Sequence, residues 1–230
     1  MAVKCNLCDD RGLVLHNNLA EPCLCVKQRA INNKIKASQI PPQLSRYTFN
    51  DFKLHYYSDQ KSVATVLQAA KEFVPHFLSN PQTKGLLFTG PVGSGKTFLS
   101  CCIANSILAQ NKSLLFAVVP ELLEQIKATY GPNRLNTVTE SELLDVAREV
   151  PLLILDDLGA HNYTDWTKNK IFSIVNYRLN YLLPTIITSN ISLEDLGDYL
   201  GERTTSRISQ MCIPYRLPAD LDIRMQMARH

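Results

Sequence analysis

The sequence has few of the features that mark membrane, secreted or strongly nucleic-acid-binding proteins. No apolar run in its 230 residues approaches the ~20 residues that a membrane-spanning helix needs, and the N-terminus has no apolar signal segment. These absences predict a cytoplasmic protein without a membrane contact. The formal net charge of +3 is small, so contact with nucleic acid would depend on a local basic patch. With 45% hydrophobic and 20% charged residues and no low-complexity tract, the chain is typical of a globular protein with one sizeable core.

The cysteines are unevenly distributed, and four of the seven lie in the first 25 residues. They form two pairs, Cys5-x-x-Cys8 and Cys23-x-Cys25. Four thiolates at this spacing favour a tetrahedral Zn²⁺ site, and the segment has too few apolar residues to fold without a metal. Redox-active or unrelated thiols remain an alternative, and His16 could replace one ligand because the second pair is C-x-C. The other three are predicted to be small core residues: Cys101, Cys102 and Cys212.

Residues 90–97 match the phosphate-loop motif G-x-x-x-x-G-K-[ST]. In this motif backbone N–H groups surround phosphate oxygens, and glycines permit the positive φ angles and the close approach that this requires. Lys96 is predicted to reach the β- and γ-phosphates and Thr97 to ligate Mg²⁺, so ATP and Mg²⁺ are the predicted cofactors. An apolar strand at 85–89 and a helix at 98–109 provide the expected context; the alternative is a glycine-rich turn. The predicted nucleotide-binding residues are Gly90, Pro91, Val92, Gly93, Ser94, Gly95, Lys96 and Thr97.

Two later strands end in polar side chains. Residues 152–157 form an apolar run closed by two carboxylates, with Asp156 predicted to hold Mg²⁺ and Asp157 to orient or deprotonate the attacking water. Residues 184–190 end in Asn190, which is predicted to reach the γ-phosphate or that water. Because the C-terminal ends of parallel strands meet at one edge of a sheet, these groups are expected to converge. An acidic turn and a turn asparagine are the alternatives.

Patterns elsewhere complete an α/β chain. Thr139 and Glu142 predict a capping box at the start of a helix whose apolar stripe would include Val146 and Ala147. Further helices are predicted at 28–38, 61–78 and 121–130 and from near Ser192 to 208, and strands at 13–15, 114–119 and 211–217. Residues 1–38 are predicted to be a zinc knuckle and helix that bind a partner, 39–60 a linker and entry segment and 61–230 the ATPase domain.

Basic residues supply two further hypotheses. Arg207 is a candidate arginine finger that would act in the site of a neighbouring subunit, with Arg203 as the second candidate; a solvated helix-end arginine is the alternative. The other hypothesis is contact with single-stranded DNA through positive charge and a stacking ring, although such a set is often only a solvated face. The residues concerned are Lys127, Tyr130 and Arg134.

Together these residues resemble the AAA+ ATPases and, more narrowly, the bacterial replicative helicase loaders of the DnaC/DnaI type. The resemblance covers nearly the whole chain and is carried by residues 5–25, 40–52, 155–159, 188–190 and 201–208. It implies a three-layer αβα P-loop domain with a parallel sheet, preceded by a small zinc knuckle and helix. It also implies an ATPase that oligomerises on ATP or DNA and delivers a replicative helicase, gripped by the N-terminal part, onto single-stranded DNA.

The chain departs from the fuller pattern of that family in two ways. Its N-terminal portion is short, and only 23 residues follow Arg207, so little or no C-terminal lid is expected and Arg224 is either a lid-type arginine or a surface residue. A monomer should therefore hydrolyse ATP weakly. Two alternative functions stay open: a transposition helper ATPase of the IstB type, which shares the ATPase core, and a nucleotide-binding adaptor with little turnover.

Overall fold

A computed structural model describes residues 5, 8, 11–16, 19–23, 40, 45–130, 139–159, 163–218 and 222–223. The strands are β1 (Leu13–His16), β2 (Leu19–Pro22), β3 (Gly85–Thr89), β4 (Leu114–Val118), β5 (Leu152–Leu158), β6 (Thr185–Ser189) and β7 (Cys212–Arg216). The α-helices are α1 (Gln60–Ser79), α2 (Lys96–Ala109), α3 (Val119–Ala128), α4 (Glu140–Glu149), α5 (Asp165–Asn180), α6 (Leu196–Leu200) and α7 (Glu202–Met211). Two 3₁₀ turns, Phe49–Asp51 and Leu54–Tyr56, precede α1.

Strands β3 to β7 form one parallel sheet in the order β4-β5-β6-β3-β7. Parallel strands need crossover connections, and here helices supply them along the chain. Strand β3 lies between β6 and β7, and every one of its residues is buried. The loop that leaves the C-terminal end of β3 therefore lies beside the end of β6, and β5 ends on the other side of β6.

Alternate residues along the strands face two separate cores, because successive side chains of a strand point to opposite faces. Phe88 and Ile154 belong to the core shared with α1 and α2. Leu87 and Leu155 belong to the core shared with α3, α4, α5 and α7. Helices thus cover both faces of the sheet, which confirms the predicted three-layer αβα architecture.

A lead-in segment, residues 47–57, connects the N-terminal part to α1 and packs against α2. The Tyr47 and Phe98 rings lie 4.8 Å apart, and those of Phe52 and Phe98 5.8 Å apart. Asn105 on α2 donates a 2.8 Å hydrogen bond from Nδ2 to the Tyr47 carbonyl. The segment is therefore held against the helix that follows the phosphate loop.

Three details differ from the sequence-based predictions. The helix expected from Ser192 to 208 is two helices, α6 and α7, because Gly201 between them adopts a φ of 84° and a ψ of 147°, which no helix contains. The predicted apolar stripe of α4 is shifted, since Leu144 is buried whereas Val146 is 55% exposed. Helix α2 begins at Lys96, two residues before the predicted start. The Thr139–Glu142 capping box is confirmed.

Other predictions lie outside the described residues. These are the helix at 28–38, residues 39 and 41–44 of the linker and entry segment, and the side chains of Cys25, Arg134 and Arg224. The three domain limits remain predictions. No helix in the described part of the chain combines the length and the apolar character that a bilayer crossing needs.

Candidate functional site

The phosphate-loop residues connect β3 to α2 with three glycines at positive φ. Gly90, Gly93 and Gly95 have φ angles of 139°, 75° and 92°. A Cβ atom at Gly90 would lie 2.2 Å from the Leu217 carbonyl oxygen, and one at Gly95 would lie 2.7 Å from the Tyr57 hydroxyl. Both conformation and space therefore require glycine at these two positions.

Lys96 is buried and directs its ammonium group back across the loop. Its Nζ donates to the carbonyl oxygens of Gly90 and Pro91, each at 2.8 Å, and to Oδ1 of Asn190 at 2.7 Å. Lys96 is 6% exposed and lines the cavity described below. The predicted phosphate-binding lysine thus lies between the loop and the end of β6, where a phosphate could take the place of its carbonyl partners.

Asp156, at the C-terminal end of β5, is fixed by two hydroxyl groups. Thr97 Oγ1 donates to its carboxylate oxygens at 2.9 and 3.1 Å, and Thr188 Oγ1 donates to Oδ1 at 2.7 Å. Burial raises the pKa of the Asp156 carboxyl, and the hydrogen bonds from Thr188 and Thr97 oppose that rise. A hydroxyl and a carboxylate side by side are oxygen ligands that suit Mg²⁺. The two residues predicted to hold the ion are therefore in contact.

Asp157 and Asn190 are also in contact, as the sequence predicted. Asn190 donates from Nδ2 to Asp157 Oδ1 at 2.9 Å, while its Oδ1 accepts from Lys96. Asp157 adopts a φ of 61°, unusual for a residue with a side chain, and its N–H donates to Thr188 Oγ1 at 2.9 Å. Strained backbone of this kind concentrates at functional sites. Thr188 was not assigned a role from sequence, although it lies on the buried strand β6, two residues before Asn190.

A cavity of about 580 Å³ opens over these groups. One wall is polar and contains Lys96, Thr97, Asp156, Asp157 and Asn190. The other is apolar and comes from the lead-in segment, the start of α2 and the C-terminal part, with Phe52, Tyr56, Tyr57, Phe98 and Ile223 among its residues. A volume of this size suits a nucleotide, with phosphates at the polar wall and an aromatic base at the apolar wall. Sequence analysis found the polar wall and missed the apolar one.

The two candidate finger arginines stack on one aromatic ring. The guanidinium carbons of Arg203 and Arg207 lie 5.0 and 4.7 Å from the centroid of the Phe172 ring on α5. Arg207 also donates from Nε to Asn176 Oδ1 at 2.6 Å and from Nη1 to the Arg203 carbonyl at 2.9 Å. Phe172 and Asn176 gave no signal in the sequence, because their role depends on the packing of α5 against α7.

Two of the three residues proposed for DNA contact lie on or just after α3. Lys127 is exposed, and Tyr130 is 56% exposed. The Tyr130 ring meets the edge of Trp166 at 6.0 Å, and the ammonium of Lys170 lies 5.6 Å from the centroid of the Trp166 ring. Lys170 also forms an ion pair with Glu140. Trp166, the single tryptophan of the chain, therefore extends the aromatic surface, which sequence analysis missed.

Three of the four N-terminal cysteines converge next to the β1–β2 hairpin. The sulfur atoms of Cys5, Cys8 and Cys23 lie within 4.8 Å of one another, and Cys5 Sγ is 3.8 Å from Cys23 Sγ. Two thiolates bound to one tetrahedral zinc at about 2.3 Å would be about 3.8 Å apart. The Gly12 N–H also donates to Cys8 Sγ at 3.3 Å. The donor set fits zinc, with Cys25 outside the described residues.

Comparison with known proteins identifies the family. The model of the IstB-like ATP binding protein family matches residues 10–208. The chain belongs to this family. The replicative helicase loader DnaI of Bacillus subtilis is 28% identical over 207 residues, which cover 84% of this chain and 64% of DnaI. The replicative helicase loader DnaC of Buchnera aphidicola is 30% identical over 188 residues, which cover 80% of this chain and 75% of that protein.

Structural comparison agrees with these matches. A crystal structure of DnaI superimposes with a TM-score of 0.66 at 28% identity and covers 83% of this chain and 99% of that one. The predicted AAA+ P-loop fold and the resemblance to the helicase-loader group are therefore confirmed. The aligned segment spans less than two thirds of the curated DnaI, so part of that relative has no counterpart in the alignment.

Proposed function

We propose that this protein is an ATPase that loads a replicative DNA helicase onto single-stranded DNA. The observation that carries the ATPase part is the pair of linked contacts at the cavity, Lys96–Asn190–Asp157 and Thr97–Asp156–Thr188. Together they bring a cation, a metal-binding pair and a water-orienting pair to one place, as phosphoryl transfer to water needs. The helicase part is supported by the names of the relatives, which are called replicative helicase loaders.

Each residue has a role in this proposal. Lys96 exchanges its Gly90 and Pro91 carbonyl partners for the β- and γ-phosphates of ATP. Thr97 and Asp156 would hold Mg²⁺, which neutralises charge on the transferred phosphoryl group when bound. Asp157 accepts a hydrogen bond from the attacking water, and Asn190 keeps the carboxylate of Asp157 oriented through its Nδ2–H. The apolar wall of the cavity packs against the base.

Arg207 would complete the site of a neighbouring subunit, so that the protein acts as an oligomer. Stacking on Phe172 and the bond to Asn176 hold the guanidinium at the helix surface before a neighbour arrives, which lowers the entropy lost on assembly. Mixing Arg207→Ala with Lys96→Ala protein should restore ATPase activity, because a mixed pair contains one intact site. No recovery at any mixing ratio would contradict a finger acting between subunits.

Zinc would be held by Cys5, Cys8, Cys23 and Cys25 and would stabilise the N-terminal hairpin. The 3.8 Å sulfur separation supports this proposal. Purified protein should contain one zinc per chain, measured by plasma emission spectroscopy, and Cys8→Ala should lose it. Cys102→Ala, which alters a thiol buried in α2, is the matched control and should retain the metal. A Cys8→Ala protein with unchanged zinc content would contradict the site.

The remaining parts of the proposal are the domain arrangement and the DNA contact. Residues 1–38 would bind the helicase, 39–60 would link them to the ATPase domain at 61–230, and Lys127, Tyr130 and Arg134 would contact single-stranded DNA. Trp166 next to Tyr130 supports a stacking surface for bases. Intrinsic fluorescence of the single tryptophan should change when an oligonucleotide is added, and Tyr130→Ala should weaken binding several-fold.

One experiment tests the central claim. ATP turnover is measured for wild type and Lys96→Ala, with and without single-stranded DNA and the host replicative helicase, and complex formation is followed by size-exclusion chromatography. We expect turnover to require Lys96 and the helicase to co-elute with the full chain. Equal turnover in both proteins would exclude the ATPase. Slow turnover in all mixtures, with intact helicase binding, would favour the nucleotide-binding adaptor.

A second candidate is the transposition helper, because the matching family model is named IstB-like. Both functions use the same ATPase core. The same chromatography with a transposase of the IstB-associated class in place of the helicase separates them. Co-elution with the transposase and not with the helicase would replace the loader proposal.

A further inference from the structure

Tyr57, in the lead-in segment, forms a hydrogen bond with the phosphate loop. Both groups belong to the protein, so the bond does not depend on a bound nucleotide. The Tyr57 hydroxyl donates a 2.8 Å hydrogen bond to the carbonyl oxygen of Ser94, inside the loop. Tyr57 is 5% exposed and Ser94 is fully buried. Burial raises the pKa of the Tyr57 phenol, so the hydroxyl keeps its proton and remains a donor at neutral pH.

The peptide group that accepts this bond is the one that presents the Gly95 N–H. A trans peptide is planar, with its carbonyl oxygen and its N–H pointing in opposite directions. A donor that holds the Ser94 oxygen from one side therefore directs the Gly95 N–H to the other side. Phosphate loops bind anions through inward-pointing N–H groups, so the orientation of this peptide decides whether one of those donors is available.

Backbone hydrogen bonds hold the two neighbouring peptides, since the Ser94 N–H donates to the Pro91 carbonyl at 3.3 Å and the Leu99 N–H donates to the Gly95 carbonyl at 3.0 Å. Gly95 has a φ of 92°, and glycine occupies positive and negative φ with similar ease, so rotation of the 94–95 peptide meets no side-chain barrier at Gly95. The Tyr57 ring itself is fixed, because it stacks on Phe52 with centroids 5.5 Å apart and an interplanar angle of 24°. The ring that holds the Ser94 oxygen is therefore fixed, and position 95 adds no side chain that would oppose rotation of the 94–95 peptide.

We propose that Tyr57 is a positioning residue that holds the Ser94–Gly95 peptide in its phosphate-binding orientation. The inference rests on the proposed binding of ATP at the phosphate loop. Because Tyr57 lies in the lead-in segment, it also ties the nucleotide site to the chain that leads from the N-terminal part. The lead-in segment contacts α2 as well, through Tyr47 and Asn105. A change in the conformation of the phosphate loop would therefore act directly on the position of this segment.

The test is Tyr57→Phe, which removes the hydroxyl and keeps the ring. Affinity for ATP and for ADP, measured calorimetrically with Mg²⁺, should fall about five- to tenfold, the loss expected for one buried hydrogen bond. Affinity for adenosine, followed by NMR at millimolar concentration, should not change, because the variant keeps the ring that lines the apolar wall and adenosine has no phosphate. The control is Tyr181→Phe, the same change at a ring that is 61% exposed on α5's C-terminal cap and does not line the cavity.

A second measurement does not depend on ligand. In the nucleotide-free protein the Gly95 amide resonance should shift or broaden in Tyr57→Phe and stay in place in Tyr181→Phe. Unchanged ATP affinity would overturn the inference, and so would a Gly95 resonance that stays in place in Tyr57→Phe. An equal loss of ATP and adenosine affinity, with a lower melting temperature, would also overturn it, since that result indicates packing alone. If wild type bound no ATP, the proposed function would fail as well; if wild type bound ATP and Tyr57→Phe matched it, only the inference would fail.

Discussion

Lys96 and Arg178 are both buried cations whose partners are largely backbone carbonyls, but they lie in different surroundings. Arg178, on α5, is fully buried, and its guanidinium is surrounded by protein acceptors. It donates to the carbonyls of Ala147, Arg148, Val150 and Pro184 and to Oγ1 of Thr185, at 2.6 to 3.1 Å. Lys96 contacts two carbonyls and one amide oxygen at the edge of an open cavity.

The comparison shows how the chemistry of each cation suits its place. The last carbonyls of a helix have no partner within the helix, and the rigid fork of Arg178 satisfies those at the end of α4 while joining them to the start of β6. Burial lowers the pKa of Arg178 to about 9, which still leaves it charged at neutral pH. A lysine ammonium is a point charge on a flexible stem and can exchange partners. Arg178 is therefore held in place by the fold, whereas Lys96 can exchange its carbonyl partners for a phosphate.

The largest expected effect is that of Lys96→Ala on nucleotide binding. ATP-dependent activity should fall about 10²–10³-fold, as when a main electrostatic donor is removed from an active site. The free energy of unfolding should change by less than about 1 kcal/mol, because the released carbonyls can meet water in the cavity. Turnover assays and urea denaturation measure the two quantities. A large loss of stability would mean that Lys96 resembles Arg178 more than we infer.

Arg178→Met should have the opposite profile. Methionine fills similar volume but leaves several buried carbonyls without a donor, so the free energy of unfolding should fall by about 3 kcal/mol. ATP affinity per folded molecule should be unchanged, since Arg178 does not line the cavity. Urea denaturation and calorimetry test both statements. A variant that kept its stability and lost nucleotide binding would contradict the structural role that we assign to Arg178.

A smaller effect is expected from substitution of Thr188. Like Arg178, its side chain is hydrogen-bonded to protein groups, but unlike Arg178 it lines the cavity. Thr188→Val removes the hydroxyl that contacts Asp156 and the Asp157 N–H, so the Mg²⁺ concentration needed for tight ATP binding should rise about fivefold. ATP binding in EDTA should not change. Thr188→Ser keeps the hydroxyl and should restore the wild-type Mg²⁺ response; if it does not, the methyl group rather than the hydroxyl is responsible.

The smallest effect is a pH dependence of stability in the nucleotide-free protein. The folded state raises the pKa of Asp156 above its ordinary value of 3.8 through burial, so it binds that proton more tightly than the unfolded chain. The resulting stabilisation is fully present below pH 3.8 and is lost as the pH rises through the raised pKa. Asp156→Asn cannot titrate and should show a flatter stability profile from about pH 4 to 7. Identical profiles of stability against pH for wild type and Asp156→Asn would show that Asp156 is not the source of the pH dependence.

Much of the cavity's polar wall was predictable because its residues are marked by local pattern. The phosphate loop has a fixed spacing, and Asp156, Asp157 and Asn190 each follow an apolar strand. Boundaries and helix faces were less accurate. Val146 fits an apolar stripe by periodicity yet is exposed, because α4 packs on its neighbours through Leu144 and Ala147. Gly201 divides a predicted single helix, since its conformation was not visible in the hydrophobic pattern.

The sequence alone determined the parallel α/β class, the glycine-lined loop and the polar residues at the ends of the strands, because spacing and apolar period depend on neighbours along the chain. The tertiary structure decided which distant groups meet them. Tyr57 reaches Ser94 across 37 residues, Arg178 reaches the end of α4 across about 30, and Phe172 receives two arginines from α7. These contacts depend on how helices and segments pack around the sheet, and no local pattern of residue types encodes that packing.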